Sequence, residues 1–202
     1  MLYKNRDKFK AKNDKVGKFF SKMPLTANQW TFLSIIFALI SSFYIITGNF
    51  LTAAVLFAIA SVMDVVDGAV ARARNSASPK GGHLDNIVDR YVEFIIIFGL
   101  MFVSLPLYYI DSKVWLLLLL FGSMMTTYSK ASAAEQMKIS VKGGILERGE
   151  RLILLFVALV AGTFSKDIMS GIIIIAAILA NVTALQRIAM SFIVNQRNNQ
   201  VL

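Results

Sequence analysis

Cysteine is absent from this 202-residue chain, and histidine occurs once, as His83. The first absence excludes a disulfide framework and a thiolate metal site, and the second excludes a zinc centre built on histidines. His83 reads as a solvated residue of the loop before Asp85. Charge is scarce as well. Only 16% of the residues are Asp, Glu, Lys or Arg, against about 25% in an ordinary soluble domain, and 56% are hydrophobic. That balance excludes a disordered chain and argues against a soluble one. The net charge of +9 is clustered rather than spread. Clustering of this kind orients a protein in a bilayer, and nucleic acid is not an expected partner.

Six apolar segments occupy most of the chain, at about residues 26–47, 51–74, 82–105, 112–137, 147–164 and 166–194. Each reaches or approaches the roughly 20 residues that a bilayer requires. Pro24 and Thr26 mark the start of the first, Gly48-Asn49 a turn after it, and Pro106 the end of the third. The expected fold is an all-α integral membrane protein with six transmembrane helices, residues 25–202 forming a single domain. Residues 1–24 carry Lys4, Arg6, Lys8, Lys10, Lys12, Lys15, Lys18 and Lys22, with Leu2, Phe9, Val16, Phe19 and Phe20 between them. This pattern predicts a basic amphipathic helix on an anionic membrane surface, with a loosely ordered basic tail as the alternative. It is too long and too polar for the n-region of a secretory signal. In this layout Lys113 and Lys166 are the only basic residues in loops opposite the N-terminus, leaving 19 of the 21 on the N-terminal side. The asymmetry puts both termini on the cytoplasmic side of the cell membrane. Trp30, Tyr44, Tyr108, Tyr109 and Trp115 lie near predicted helix ends, where interfacial anchors belong.

Against this background four carboxylates stand out. Asp64 and Asp67 are spaced i,i+3 and Asp85 and Asp89 i,i+4, so each pair shares one helical face. Residues 74–82, rich in Ser, Gly and Pro, read as the loop that turns the two helices back on each other. Four acids converging at a membrane boundary repel one another unless cations lie between them, which predicts a divalent metal site. Gly68 and Ala71 follow Asp64 by four and seven residues on the same face. Their lack of bulk suits either a ligand approaching the backbone or close helix packing.

The complete pattern, D-x2-D-G-x2-A-R-x8-G-x3-D-x3-D, fits eight defined residues over the 26 positions from Asp64 to Asp89. It resembles the signature of the CDP-alcohol phosphatidyltransferases. The resemblance implies transfer of a phosphatidyl or archaetidyl group from CDP-diacylglycerol or CDP-archaeol to a small polar alcohol, with release of CMP. It further implies a bilayer-embedded homodimer and two Mg2+ or Mn2+ ions held by Asp64, Asp67, Asp85 and Asp89, with Asp89 also the general base. The implied CDP-lipid pocket comprises Asn28, Thr31, Asp64, Gly68, Ala71, Arg72, Ser78 and Gly81. Asn28 and Thr31 are similar to a P-N-x-T element whose proline is here Ala27.

A second polar cluster points to the acceptor. Lys130 falls in an apolar segment, where an unpaired ammonium at mid-bilayer costs ~2.5–3.5 kcal/mol, so it belongs near the interface or in an aqueous cavity. With Arg151 and Arg187 it can form a phosphate clamp. For each cation alone, snorkelling or an intrahelical salt bridge competes with that role. The order Tyr128-x-Lys130, Glu147-Arg148-Gly149-Glu150-Arg151, Gln186-Arg187 resembles the branch using inositol 1-phosphate. Glycerol 3-phosphate, serine, free inositol and a lipid alcohol are the rival acceptors. Two other classes compete: a membrane cation transporter, which needs acids spread through the membrane depth, and a non-catalytic scaffold.

Overall fold

The computed structural model describes residues 17–141 and 143–199, with side chains through residue 196. Six long helices follow one another: α1 (Ala27–Ile46), α2 (Phe50–Ala73), α3 (Pro79–Leu100), α4 (Ser112–Gln136), α5 (Arg148–Gly162) and α6 (Lys166–Asn199). No β-strand occurs among the described residues. Local sequence sets the helix ends. Thr26 and Gln29 close a reciprocal capping box at α1, Gln29 N–H donating to Thr26 Oγ1 at 3.3 Å and Thr26 N–H to Gln29 Oε1 at 2.7 Å. Gly48 takes the positive φ of the turn, +82°, and Asn49 caps α2 by accepting from Thr52 N–H.

Two expectations need correction here. The loop predicted over residues 74–82 is shorter, because Ser78 caps α3 and Pro79 opens it, so Gly81 and Gly82 lie in its first turn. His83 is therefore exposed on a helix, not in a loop. Likewise α3 ends at Leu100, ahead of Pro106.

Packing follows the rules for helices in lipid, where small residues and side-chain-to-backbone hydrogen bonds bring axes together. Helix α1 lies against α2 and α3, α4 against α6, and α5 against α6 and α2. Gly122 on α4 meets the α6 backbone: an added Cβ would stand 2.8 Å from Asn181 N. Asn181 Nδ2 donates to the Leu118 carbonyl at 2.8 Å across the same contact, and Ser41 Oγ joins α1 to the Ala53 carbonyl of α2. The core of Phe57, Ile96, Leu116, Leu119, Leu159 and Ile173 is fully buried, while Phe32, Ile36, Leu39 and Phe43 leave one face of α1 exposed and apolar. Helices α1, α2, α4 and α6 are long and apolar enough to cross a membrane.

Residues 1–16 of the predicted N-terminal helix lie outside the described residues. The part that follows docks on the end of α2. A Cβ at Gly17 would come 2.5 Å from the Ala69 carbonyl oxygen, and Phe20 sits edge-on to Trp30. Arg74 donates to the carbonyls of Ser21 at 2.6 Å, Leu25 at 2.8 Å and Met23. Trp30 is thus not an interfacial anchor: it is buried with Val66 and Val70. Tyr108 and Trp115 meet at the other end of the bundle, where Trp115 Nε1 donates to the Tyr108 carbonyl and the Tyr108 hydroxyl to Asp167.

Candidate active site

Helix α2 delivers Asp64 and Asp67, and α3 delivers Asp85 and Asp89. Asp64, Asp85 and Asp89 each offer a carboxylate oxygen, and these oxygens lie within 4.8 Å of one another. Three hard oxygen donors so close together fit a divalent cation such as Mg2+ or Mn2+. Asp67 stands apart from that set. It is buried, and its Oδ2 accepts from the Thr31 hydroxyl at 2.5 Å. Two of the three converging acids also share an arginine to which the sequence assigned no partner: Arg148 Nη1 is 3.0 Å from Asp64 Oδ2, and Nη2 pairs with Asp89 Oδ1.

A cavity of about 220 Å3 opens beside Asp67 and Asp85, between α1, the end of α2 and the start of α3. Asn28, Thr31, Gly68, Ala71, Arg72, Ser78 and Gly81 line it; Asp64 does not. The glycines face polar side-chain tips at the cavity and no helix backbone. A Cβ on Gly68 would find only Arg72 Nη1, at 3.3 Å, and one on Gly81 only the polar tips of Ser78 and Asn28. Close packing on α2 occurs elsewhere, at Ala69 against Gly17. Ser78 serves two ends, capping α3 through its Oγ (3.1 Å from Gly81 N) while lining the cavity.

On the other side of the carboxylates a second cavity, about 270 Å3, is bordered by Asp89, Lys130, Arg148, Arg151 and Arg187, with Asn86, Arg90, Thr126 and Thr127. The three predicted acceptor cations therefore share one cavity, in different settings. Lys130 is exposed near the end of α4. Arg187 is pinned by donating to the Gly143 carbonyl at 2.8 Å and the Thr126 carbonyl at 3.0 Å. Arg151 is fully buried, its Nε donating to Glu93 Oε1 at 2.9 Å. Glu93, buried as well, accepts from Arg90 through its other oxygen at 2.9 Å. Sequence reading missed Arg90 and Glu93, and named Arg148 within the Glu147–Arg151 motif without giving it a role. The signal available was the i,i+3 spacing of Arg90 with Glu93 and of Arg148 with Arg151, which sets each pair on one helical face.

Known proteins resemble this chain in sequence and in fold. A 32% identical relative, the archaetidylinositol phosphate synthase of Pyrococcus horikoshii, aligns over 93% of this chain and 95% of its own length. The phosphatidylinositol phosphate synthase of Corynebacterium glutamicum is 32% identical over 71% of this chain and 67% of its own. Among solved structures, Mycobacterium tuberculosis phosphatidylinositol phosphate synthase with CDP-DAG bound has the same fold, with a TM-score of 0.78 at 23% identity over 89% of this chain and 93% of that one. The same enzyme in complex with manganese and citrate superposes with a TM-score of 0.76 at 22% identity, over 89% of this chain and 88% of that one. The sequence profile of the CDP-alcohol phosphatidyltransferases matches residues 24–194, and the chain belongs to that family.

Proposed function

We propose that this membrane enzyme joins the phosphate-bearing lipid half of a CDP-lipid to a hydroxyl of inositol 1-phosphate. One observation carries this reading: a single carboxylate set borders both cavities, Asp85 lining the first and Asp89 the second. The first cavity takes the CDP end of the donor against Gly68, Ala71, Arg72, Ser78 and Gly81, with Asn28 and Thr31 on its far wall. The second takes the acceptor, its phosphate held by Lys130, Arg151 and Arg187. The acceptor oxygen then bonds to the lipid-bearing phosphorus, the diphosphate bridge breaks, and CMP leaves with the bridging oxygen. Asp89 receives the hydroxyl proton, coupled to attack because a carboxylate alone is too weak a base for an alcohol. Asp64, Asp85 and Asp89 would hold the divalent ions, with Asp67 next to them at the donor cavity. Such ions neutralise diphosphate charge and stabilise the leaving oxygen.

The bilayer placement belongs to the same proposal. Helix α3 carries its charges between Lys80 and Glu93 and none beyond, and α5, at 15 residues, is about 22 Å long, short of the ~30 Å hydrocarbon core. Both are packed among the four long apolar helices, which supports six spans with the carboxylates near one surface. The basic loops assign that surface to the cytoplasm. A homodimer is proposed from family likeness alone.

The test is CMP release from CDP-archaeol or CDP-diacylglycerol by purified protein in detergent with Mg2+ or Mn2+, each reaction holding one acceptor. Turnover with inositol 1-phosphate is expected. Turnover with glycerol 3-phosphate, serine or inositol instead would keep the chemistry and discard the acceptor assignment. Arg187→Ala is expected to raise the acceptor KM about tenfold or more, as loss of a charge-assisted contact does, with the CDP-lipid KM nearly unchanged. An unchanged acceptor KM rejects the clamp.

A further inference from the structure

Arg148 sits between the second cavity and the carboxylates. It is the first residue of α5, it borders the second cavity, and it reaches Asp64 on α2 and Asp89 on α3. Its Nε is buried and makes no hydrogen bond among the described residues, so the guanidinium retains donor capacity beyond these two pairs. Asp64 and Asp89 are also two of the three acids whose oxygens converge within 4.8 Å. A guanidinium and a divalent cation attracted to the same two carboxylates repel each other at these separations. An anion entering the second cavity offers Arg148 an alternative partner.

We infer that Arg148 is an internal counter-ion that competes with divalent metal for Asp64 and Asp89 and is drawn off by the acceptor's phosphate, so that acceptor and metal bind cooperatively. The inference rests on the reading of the carboxylates as a metal site and of the second cavity as the acceptor site. It makes Arg148 a positioning residue, which acts through the carboxylates it holds or releases and takes no part in bond making. Its consequence is an order of assembly. Before the acceptor arrives, the arginine neutralises part of the acid cluster and weakens metal binding. Once the phosphate engages Arg148, Asp64 and Asp89 are freed for metal, and Asp89 is left facing the hydroxyl to be deprotonated. By linkage, metal must raise acceptor affinity by the same factor.

The experiment is Mn2+ binding to the full-length protein in detergent, read by the loss of the free-ion paramagnetic resonance signal, with and without inositol 1-phosphate. Wild-type protein is expected to bind Mn2+ more tightly when inositol 1-phosphate is present. Arg148→Gln is expected to bind Mn2+ about tenfold more tightly without it, and to gain nothing further on its addition. Arg148→Lys, which keeps the charge, is expected to stay near wild type, and thermal unfolding of each variant checks that it is folded. Weaker or unchanged Mn2+ binding by folded Arg148→Gln overturns the inference, as does an equal effect of inositol 1-phosphate on both proteins. Asp64→Asn and Asp85→Asn separate the two levels. If they abolish Mn2+ binding while Arg148→Gln leaves it unchanged, only the competition is wrong; if they leave it intact, the metal reading itself fails.

Discussion

Asp89 differs from its neighbours in what surrounds it. Asp67 is tied to the Thr31 hydroxyl and faces the donor cavity, whereas Asp89 borders the cavity with the cations. Removing its charge should therefore strike both the acceptor's proton and the divalent ion that Asp89 would help to hold. Asp89→Asn is expected to lower kcat by about 10²–10⁴-fold, the usual range for a lost general base. Full turnover in a CMP-release assay would remove Asp89 from the chemistry. Gly68 makes the opposite case. Because a side chain there would point into the donor cavity rather than a neighbouring helix, Gly68→Leu is expected to raise the CDP-lipid KM and leave the thermal midpoint nearly unchanged. A large drop in midpoint without a KM change would mean that Gly68 serves packing instead.

At the scale of helices, the glycines divide by what they meet. Gly122→Ala would place its Cβ 2.8 Å from the α6 backbone at Asn181, and backbone cannot step aside as a flexible side chain does. Overpacking of this kind is expected to cost about 1–3 kcal/mol. On α6, a methyl group added at Gly171 would meet nothing within 4 Å, so Gly171→Ala is expected to be neutral or to stabilise by up to ~1 kcal/mol. Thermal unfolding in detergent separates them, and equal midpoints would show that α4 and α6 are not held at this distance. Much of the helix layout was legible in the sequence, because the signals at Thr26 and Gly48-Asn49 are local, and Thr26 and Asn49 do cap their helices. The start of α3 was misread because Gly81 and Gly82 weigh as loop residues one by one, while the Ser78-Pro79 start signal outweighs them together. Trp30 was misread for the reverse reason. Its place near a helix end is local information, but its burial depends on Phe20 and on α2, and no spacing rule reports that. The same limit hid Arg148, whose partners lie 84 and 59 positions away in the chain.

For the whole molecule, one side of the bundle gathers what is polar. The end of α2, the start of α3, the end of α4, the start of α5 and the latter part of α6 meet there, joined by Arg148 to Asp64, Arg151 to Glu93 and Arg187 to Thr126. The opposite end holds the contact between Tyr108 and Asp167 and the fully exposed Tyr109. A donor with lipid tails and a water-soluble acceptor can meet only where both phases are within reach, and carboxylates near one surface meet that condition. The absence of native cysteine makes the placement directly measurable. Single cysteines at Lys80, beside the carboxylates, and at Lys113, at the other end, should respond oppositely to an impermeant thiol reagent. In intact cells Lys113→Cys is expected to label and Lys80→Cys to be protected until the membrane is opened. The reverse pattern would invert the bundle and overturn the cytoplasmic placement of the carboxylates. Labelling of both in intact cells would mean that α3 does not carry the chain across the bilayer between them, and that the six-span arrangement is wrong.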